Sequence, residues 1–119
     1  MNTAKLHATI KRFHRDHNYS DIYSNGLCSE FAVALKKYVH GGTIYKHGLW
    51  HTVLYYNGKY CDIHGCQTVS QLMRNMPIGM TKANLRAAKP SEIAHINKLL
   101  DNNEVARMVA GLKKASGGK

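Results

Sequence analysis

Three residue types in this chain could carry chemistry together. A cysteine heads an apolar run in SNGLCSEF, residues 24–31, and His51 and Asp62 follow within HTVLYYNGKYCDIHG, residues 51–65. A thiol whose pKa is lowered attacks carbonyl carbon, an imidazole within reach moves the proton, and a carboxylate behind the ring fixes its tautomer. Cys28, His51 and Asp62 are the candidates for nucleophile, general base and orienting acid. A second chemistry draws on Cys61, His64 and Cys66, with His51 or His47 nearby, which are ligand types that zinc accepts. Its spacing is poor, because no paired C-x-x-C element is present and an undisturbed strand turns Cys61 and His64 to opposite sides. The plainest alternative for Cys28 is a small buried hydrophobe.

The elements that must position these groups can be read from period and punctuation. Leu6, Ile10 and Phe13 lie on one face of a helix over residues 3–16, opened by Asn2 or Thr3. The polar segment NYSDIYSNG breaks that pattern before a second helix over about 26–39, capped from among Ser24, Asn25 and Gly26. Cys28, Phe31, Ala32, Leu35, Tyr38 and Val39 form one stripe of it, and Gly41-Gly42 stops it. Cys28 therefore sits in the first turn, where unsatisfied N–H groups and the macrodipole favour a thiolate.

The period then changes to two. TIYK reads as a short strand, and the aromatic-rich runs around Asn57-Gly58 read as a hairpin, since Asn-Gly between alternating runs favours a two-residue turn. With Asn57 and Gly58 in the turn, Tyr56 faces Lys59, Leu54 faces Cys61, Val53 faces Asp62 and His51 faces His64. His51, Val53, Tyr55, Tyr60, Asp62 and His64 then share one face, and Cys61 and Ile63 the other. His51 and Asp62 are diagonal neighbours, about 7 Å apart between backbones, a gap that a carboxylate and an imidazole can close. His64, directly opposite His51, competes with Asp62 as third residue, although a structural hydrogen-bonding role fits it better. Asp62 can also be read as a strand-end turn residue.

Beyond Gly65 the chain reads helical. Thr68 and Gln71 make a capping box for a short helix to about Met76, which Pro77 closes. Pro90-Ser91-Glu92 opens a helix through Leu100, and Asp101 or Asn102 another through about Ala115 with Val105, Met108, Val109 and Leu112 buried. Residues 78–89 show no clear period. The order of helices, small antiparallel sheet and helices defines an α+β class.

Composition sets the surroundings. The 119 residues suit one domain spanning 1–119, able to bury roughly two thirds of its unfolded surface without staples. With no run of about 18 apolar residues and no apolar leader, the expected setting is cytoplasmic, with no membrane partner. Three cysteines cannot all pair, which favours reduced thiols or a metal site over a disulfide framework. The net charge of +10 is uneven: residues 1–17 carry four basic and one acidic side chain, residues 18–73 four and three, and residues 74–119 nine and three. An acidic partner, nucleic acid included, would meet the basic C-terminal part, in a salt-sensitive way. No nucleic-acid motif appears, and residues 82–119 lack aromatics for stacking on single strands.

The pattern G-L-C-S-E-F-A-V-A-L followed by W-H-T-V-L-Y-Y-N-G-K-Y-C-D-I-H-G resembles the papain-like thiol fold in its compact bacterial and phage forms, related to transglutaminase-like and NlpC-type cysteine peptidases. The resemblance covers residues 24–65 and matches the chain order Cys, His, Asp. It implies a papain-like architecture, with a helix opened by the nucleophile and packed on an antiparallel sheet whose adjacent strands carry the base and its partner. Carried over by position, Cys28 is the nucleophile, His51 the base and Asp62 the orienting acid, with no cofactor and a protein or peptide substrate. NlpC-type members use a polar third residue on the following strand, which keeps His64 as the alternative. The family's Gln ahead of the Cys has no counterpart here; Asn25, Asn18 or Tyr23 are the substitutes at hand, with the Cys28 N–H as the other oxyanion donor. Trp50, Tyr55, Tyr56 and Tyr60 are ordinary strand residues that could also line a cleft. The expected activity is peptide or amide hydrolysis, deamidation or acyl transfer through a thioester. The alternatives are a non-catalytic basic protein that binds nucleic acid or occludes a host factor, as a phage product would, and a small zinc-binding domain.

Overall fold

The computed structural model describes residues 1–17, 27–47, 51–74 and 85–117. Among these the order is α1 (Thr3–His17), α2 (Cys28–Val39), β1 (Thr43–His47), β2 (His51–Tyr56), β3 (Lys59–Asp62), β4 (Gly65–Gln67), α3 (Val69–Arg74), β5 (Leu85–Ala87), α4 (Pro90–Leu99) and α5 (Asn102–Ala115). The strands form one antiparallel sheet in the order β4-β3-β2-β1-β5. The class is α+β, as the pattern implies.

Sequence signals account for most boundaries. Asn2 caps α1 through Oδ1, which accepts from the Lys5 N–H at 2.7 Å. Leu6, Ile10 and Phe13 are fully buried, as their spacing requires. The Thr68–Gln71 capping box is present in both directions at 2.9 and 3.2 Å. Asp101 caps α5, accepting from the Asn103 and Glu104 N–H groups. The end of α2 differs from expectation: the left-handed residue is His40, at φ 56°, with Gly41 and Gly42 lying beyond it.

The β2–β3 register is the one the Asn-Gly turn dictates, pairing Tyr56 with Lys59, Tyr55 with Tyr60 and Leu54 with Cys61. Asn57 and Gly58 take positive φ, 48° and 83°, as a two-residue hairpin turn of matching twist needs. Two strands escaped the sequence reading. β4 is too short to show a period, and β5 lies inside the segment read as featureless; each is defined by pairing to its neighbour rather than by local preference.

The early end of β3 corrects one expectation. Asp62 pairs with Gly65 across the two-residue turn Ile63-His64, so the chain reverses before His64 can stand opposite His51. Gly65 makes the reversal possible, at φ 108°, and a Cβ there would lie 2.2 Å from His7 Nδ1.

One hydrophobic cluster runs from Leu6 to Ala115 and includes Phe31, Leu35, Ile44, Leu54, Cys61, Met108 and Leu112. Ile44, Leu54 and Cys61 occupy one sheet face, so α2 covers that face and not the one carrying His51. A helix laid directly over the His51 face is therefore not the arrangement adopted. Glu30, buried in the first turn of α2, accepts from the Asp101 N–H and ties α2 to the start of α5.

Gly65→Ala should destabilise the protein by at least about 2 kcal/mol in denaturant unfolding, because it combines a left-handed backbone with a clash. Gly58→Ala, with the same backbone strain and open space around its Cβ, should cost about 1 kcal/mol. Equal losses would show that the His7 contact carries no energy.

Candidate active site

Cys28 is the first helical residue of α2, after Leu27, and the first intrahelical bond runs from the Phe31 N–H to the Leu27 carbonyl. The N–H groups of residues 28–30 therefore lie ahead of the ladder, at the positive end of the macrodipole. Because α2 covers the Leu54 face, Cys28 reaches His51 around the end of β2, where His51 is the first strand residue. Ser29 Oγ lies 3.1 Å from Thr52 Oγ1, which docks the helix tip onto the start of the strand. The Thr52 backbone N–H donates to the Cys28 sulfur, and Cys28 hydrogen-bonds with the His51 ring.

His51 and Asp62 are both 3% exposed, with Nε2 and Oδ2 3.1 Å apart. Since Nε2 is committed to the carboxylate, Nδ1, itself buried, is the ring atom left to face the sulfur. The three predicted site residues are thus brought together in the order thiol, imidazole, carboxylate. The partner of His51 Nε2 is Asp62 and not His64. Its backbone N–H donates to Asp62 Oδ1 at 2.8 Å, and its side chain opens into a cleft beside Lys11 and Arg74.

The second donor to Asp62 Oδ1 is Gln67 Nε2, also at 2.8 Å, which sequence reasoning missed. Gln67 pairs across from Tyr60 on β4, and alternation puts it on the same face as Asp62. Only recognition of β4 could have pointed to it. Lys46 was missed as well. It stands opposite Thr52 on β1, donates to Thr52 Oγ1 at 3.2 Å and lends positive charge to Cys28.

Electrostatics shift both Cys28 and His51 towards their charged forms. Burial pushes the Cys28 thiol up, but its hydrogen bonds with His51 and the Thr52 amide, and the charges of His51 and Lys46, bring it below the ordinary thiol value. Burial pushes His51 down, yet hydrogen bonds to Asp62 and Cys28 and their negative charges raise it above the ordinary imidazole value. Each shift makes the other's charged form easier to hold.

Tyr45, Tyr55 and Tyr60 pack on one another, with centroids 4.9–5.5 Å apart, on the sheet face that also carries His51 and Asp62. Tyr56 points the other way and donates to the Met1 carbonyl. Asn18, Tyr23, Ser24, Asn25, Gly26 and Trp50 lie outside the described residues, as do Met76 and Pro77. Among the described residues no three His, Cys, Asp or Glu side chains converge to hold a metal ion, and no helix is long and apolar enough to cross a membrane. Comparisons with protein-family models, curated proteins and solved structures give no match to this chain.

The rate at which a thiol-directed electrophile labels Cys28 should reach half its plateau below the ordinary thiol value of about 8.5. The sign for catalysis follows: activity rises as Cys28 loses its proton and falls as His51 loses its own. In Asp62→Asn the upward push on His51 is gone, so the falling limb should move to lower pH while the protein stays folded by circular dichroism. An unmoved falling limb would mean that the carboxylate does not tune the ring.

Proposed function

We propose that this chain is a cysteine-dependent hydrolase or acyltransferase of papain-like architecture, using Cys28 as nucleophile, His51 as general acid–base and Asp62 as the orienting acid. The observation that carries the reading is the continuous link from a half-buried thiol at a helix tip, through a buried imidazole, to a buried carboxylate whose second oxygen is held by two further donors.

The Cys28 thiolate adds to a carbonyl carbon, and the electrons of the C=O bond move onto oxygen as a tetrahedral oxyanion. N–H groups at the start of α2, that of Cys28 among them, are placed at the same end of the helix as the sulfur and supply donors to that charge. As the intermediate collapses, the C–N bond breaks, the imidazolium of His51 gives its proton to the leaving amine, and a thioester remains. His51, now neutral, takes a proton from the water or amine that attacks the thioester, and the thiolate is regenerated. Asp62 accepts a hydrogen bond from Nε2 throughout, keeping Nδ1 on the sulfur side. The substrate class is a protein or peptide amide, cleaved, deamidated or transferred. The basic C-terminal part fits a substrate with acidic character.

A small activated ester tests the reading without knowledge of the natural substrate. The wild-type protein should give a burst followed by slower turnover, and peptide mass spectrometry should find the acyl group on Cys28. Cys28→Ser should abolish the burst, His51→Ala should lower turnover about 10²–10⁴-fold, and Cys61→Ser should leave the acyl adduct in place. Acylation centred on Cys66, or equal loss in Cys28→Ser and Cys61→Ser, would refute it.

A further inference from the structure

Cys61 and Cys66 take no part in the reaction proposed above, yet their sulfurs lie 2.8 Å apart, with the Cys61 thiol directed at Cys66 Sγ. The two residues are direct cross-strand partners on β3 and β4. The type of pair can be deduced from β4, the edge strand of the sheet. The Cys66 N–H points outward and donates to His7 Nδ1 of α1 at 3.0 Å, so it is not exchanged with Cys61. The pair is therefore non-hydrogen-bonded, the narrow kind, with Cα atoms about 4.5 Å apart and side chains at their closest. That spacing lies within the range a disulfide spans, about 4.4–6.8 Å between Cα atoms.

The two thiols also differ in access. Cys61 is fully buried in the hydrophobic cluster, whereas Cys66 is half-buried and lines a cleft of about 330 Å³ with His7, Lys11, His64 and Gln71. A small oxidant entering the cleft meets Cys66 first. Lys11 and Arg74, at the cleft walls, favour an anionic visitor.

We propose that Cys61 and Cys66 are a redox-active dithiol that closes to a disulfide across β3 and β4 within the folded protein, the oxidant being a peroxide or a low-molecular-weight disulfide. With peroxide, the Cys66 sulfur attacks one oxygen, the O–O bond breaks, and water leaves after taking up the thiol proton. The resulting sulfenic acid is attacked by the Cys61 sulfur, the S–S bond forms, the S–O bond breaks and a second water leaves. Two thiol hydrogens and two electrons pass to the peroxide. With a small disulfide, Cys66 forms a mixed disulfide that Cys61 resolves, releasing two small thiols. Hydrogen bonding to Cys66, with burial, pushes the Cys61 thiol far up, so Cys61 is not the first attacker, and the push from Cys66 is relieved once that sulfur is oxidised. Closure fixes the hairpin that presents Asp62 and Gln67, each the residue that follows one of the two cysteines.

The experiment treats the reduced full chain with one equivalent of hydrogen peroxide, and separately with glutathione disulfide, then alkylates free thiols and digests with trypsin without reductant. Peptide 60–74 should appear unalkylated and lighter by two hydrogens, and dithiothreitol should reverse the change. Closure should be at least tenfold faster in the native protein than in guanidinium, and it should persist in Cys28→Ser, which separates this result from any failure of the thiol-enzyme reading. Two alkyl groups on peptide 60–74 after oxidation of the Cys28→Ser protein, or equal rates in native and denatured protein, would overturn it.

Discussion

The structure turns on the buried contact between His51 and Asp62. Withdrawing a carboxylate and an imidazolium from water costs several kcal/mol per ion, and their attraction offsets this only when the remaining lone pairs are also satisfied. Here they are: one oxygen of Asp62 takes the imidazole, and the other takes the His64 N–H and the Gln67 amide. Removing one member would strand the other, so the pair constrains β2, β3 and β4 at once. The tight turn at Ile63-His64 is part of the same device, because it aims a backbone N–H at the carboxylate it follows.

This fixed ring gives Cys28 its character. A thiol on a helix stripe is ordinarily an apolar filler, and burial alone would keep it protonated. The imidazole, the Thr52 amide and the Lys46 charge reverse that tendency. The helix reaches the ring by covering the Leu54 face and passing its tip around the strand end, so one α2 docking arrangement serves core packing and site assembly together. Phe31 and Leu35 hold the helix, and Glu30 pins its first turn to α5.

The edge of the sheet is managed by α1. His7 accepts the outward Cys66 N–H and fills the space that Gly65 leaves open. An unpaired edge N–H would otherwise invite another chain. The narrow Cys61–Cys66 pair follows from the register that the Ile63-His64 turn sets, and the His7 contact holds the edge strand there. The basic side chains that dominate both ends of the sequence contribute Lys11 and Arg74 to the neighbouring cleft.

The helices with periodic apolar stripes, the Asn-Gly turn, the register that follows from it and the relation of His51 to Asp62 were all legible in the residues, because each depends on local period or on one turn type. Gln67, Lys46 and the displacement of His64 were not. Gln67 owes its role to a three-residue strand with no period of its own, Lys46 to pairing between β1 and β2, and His64 to a reversal that a single glycine permits. Residue types and local period establish which groups could react and on which face of a hairpin two of them stand. Which sheet face α2 covers and how its tip meets the ring are set by the fit of Phe31, Leu35 and Leu54 against α1 and α5, contacts between residues far apart in the chain that no local pattern records.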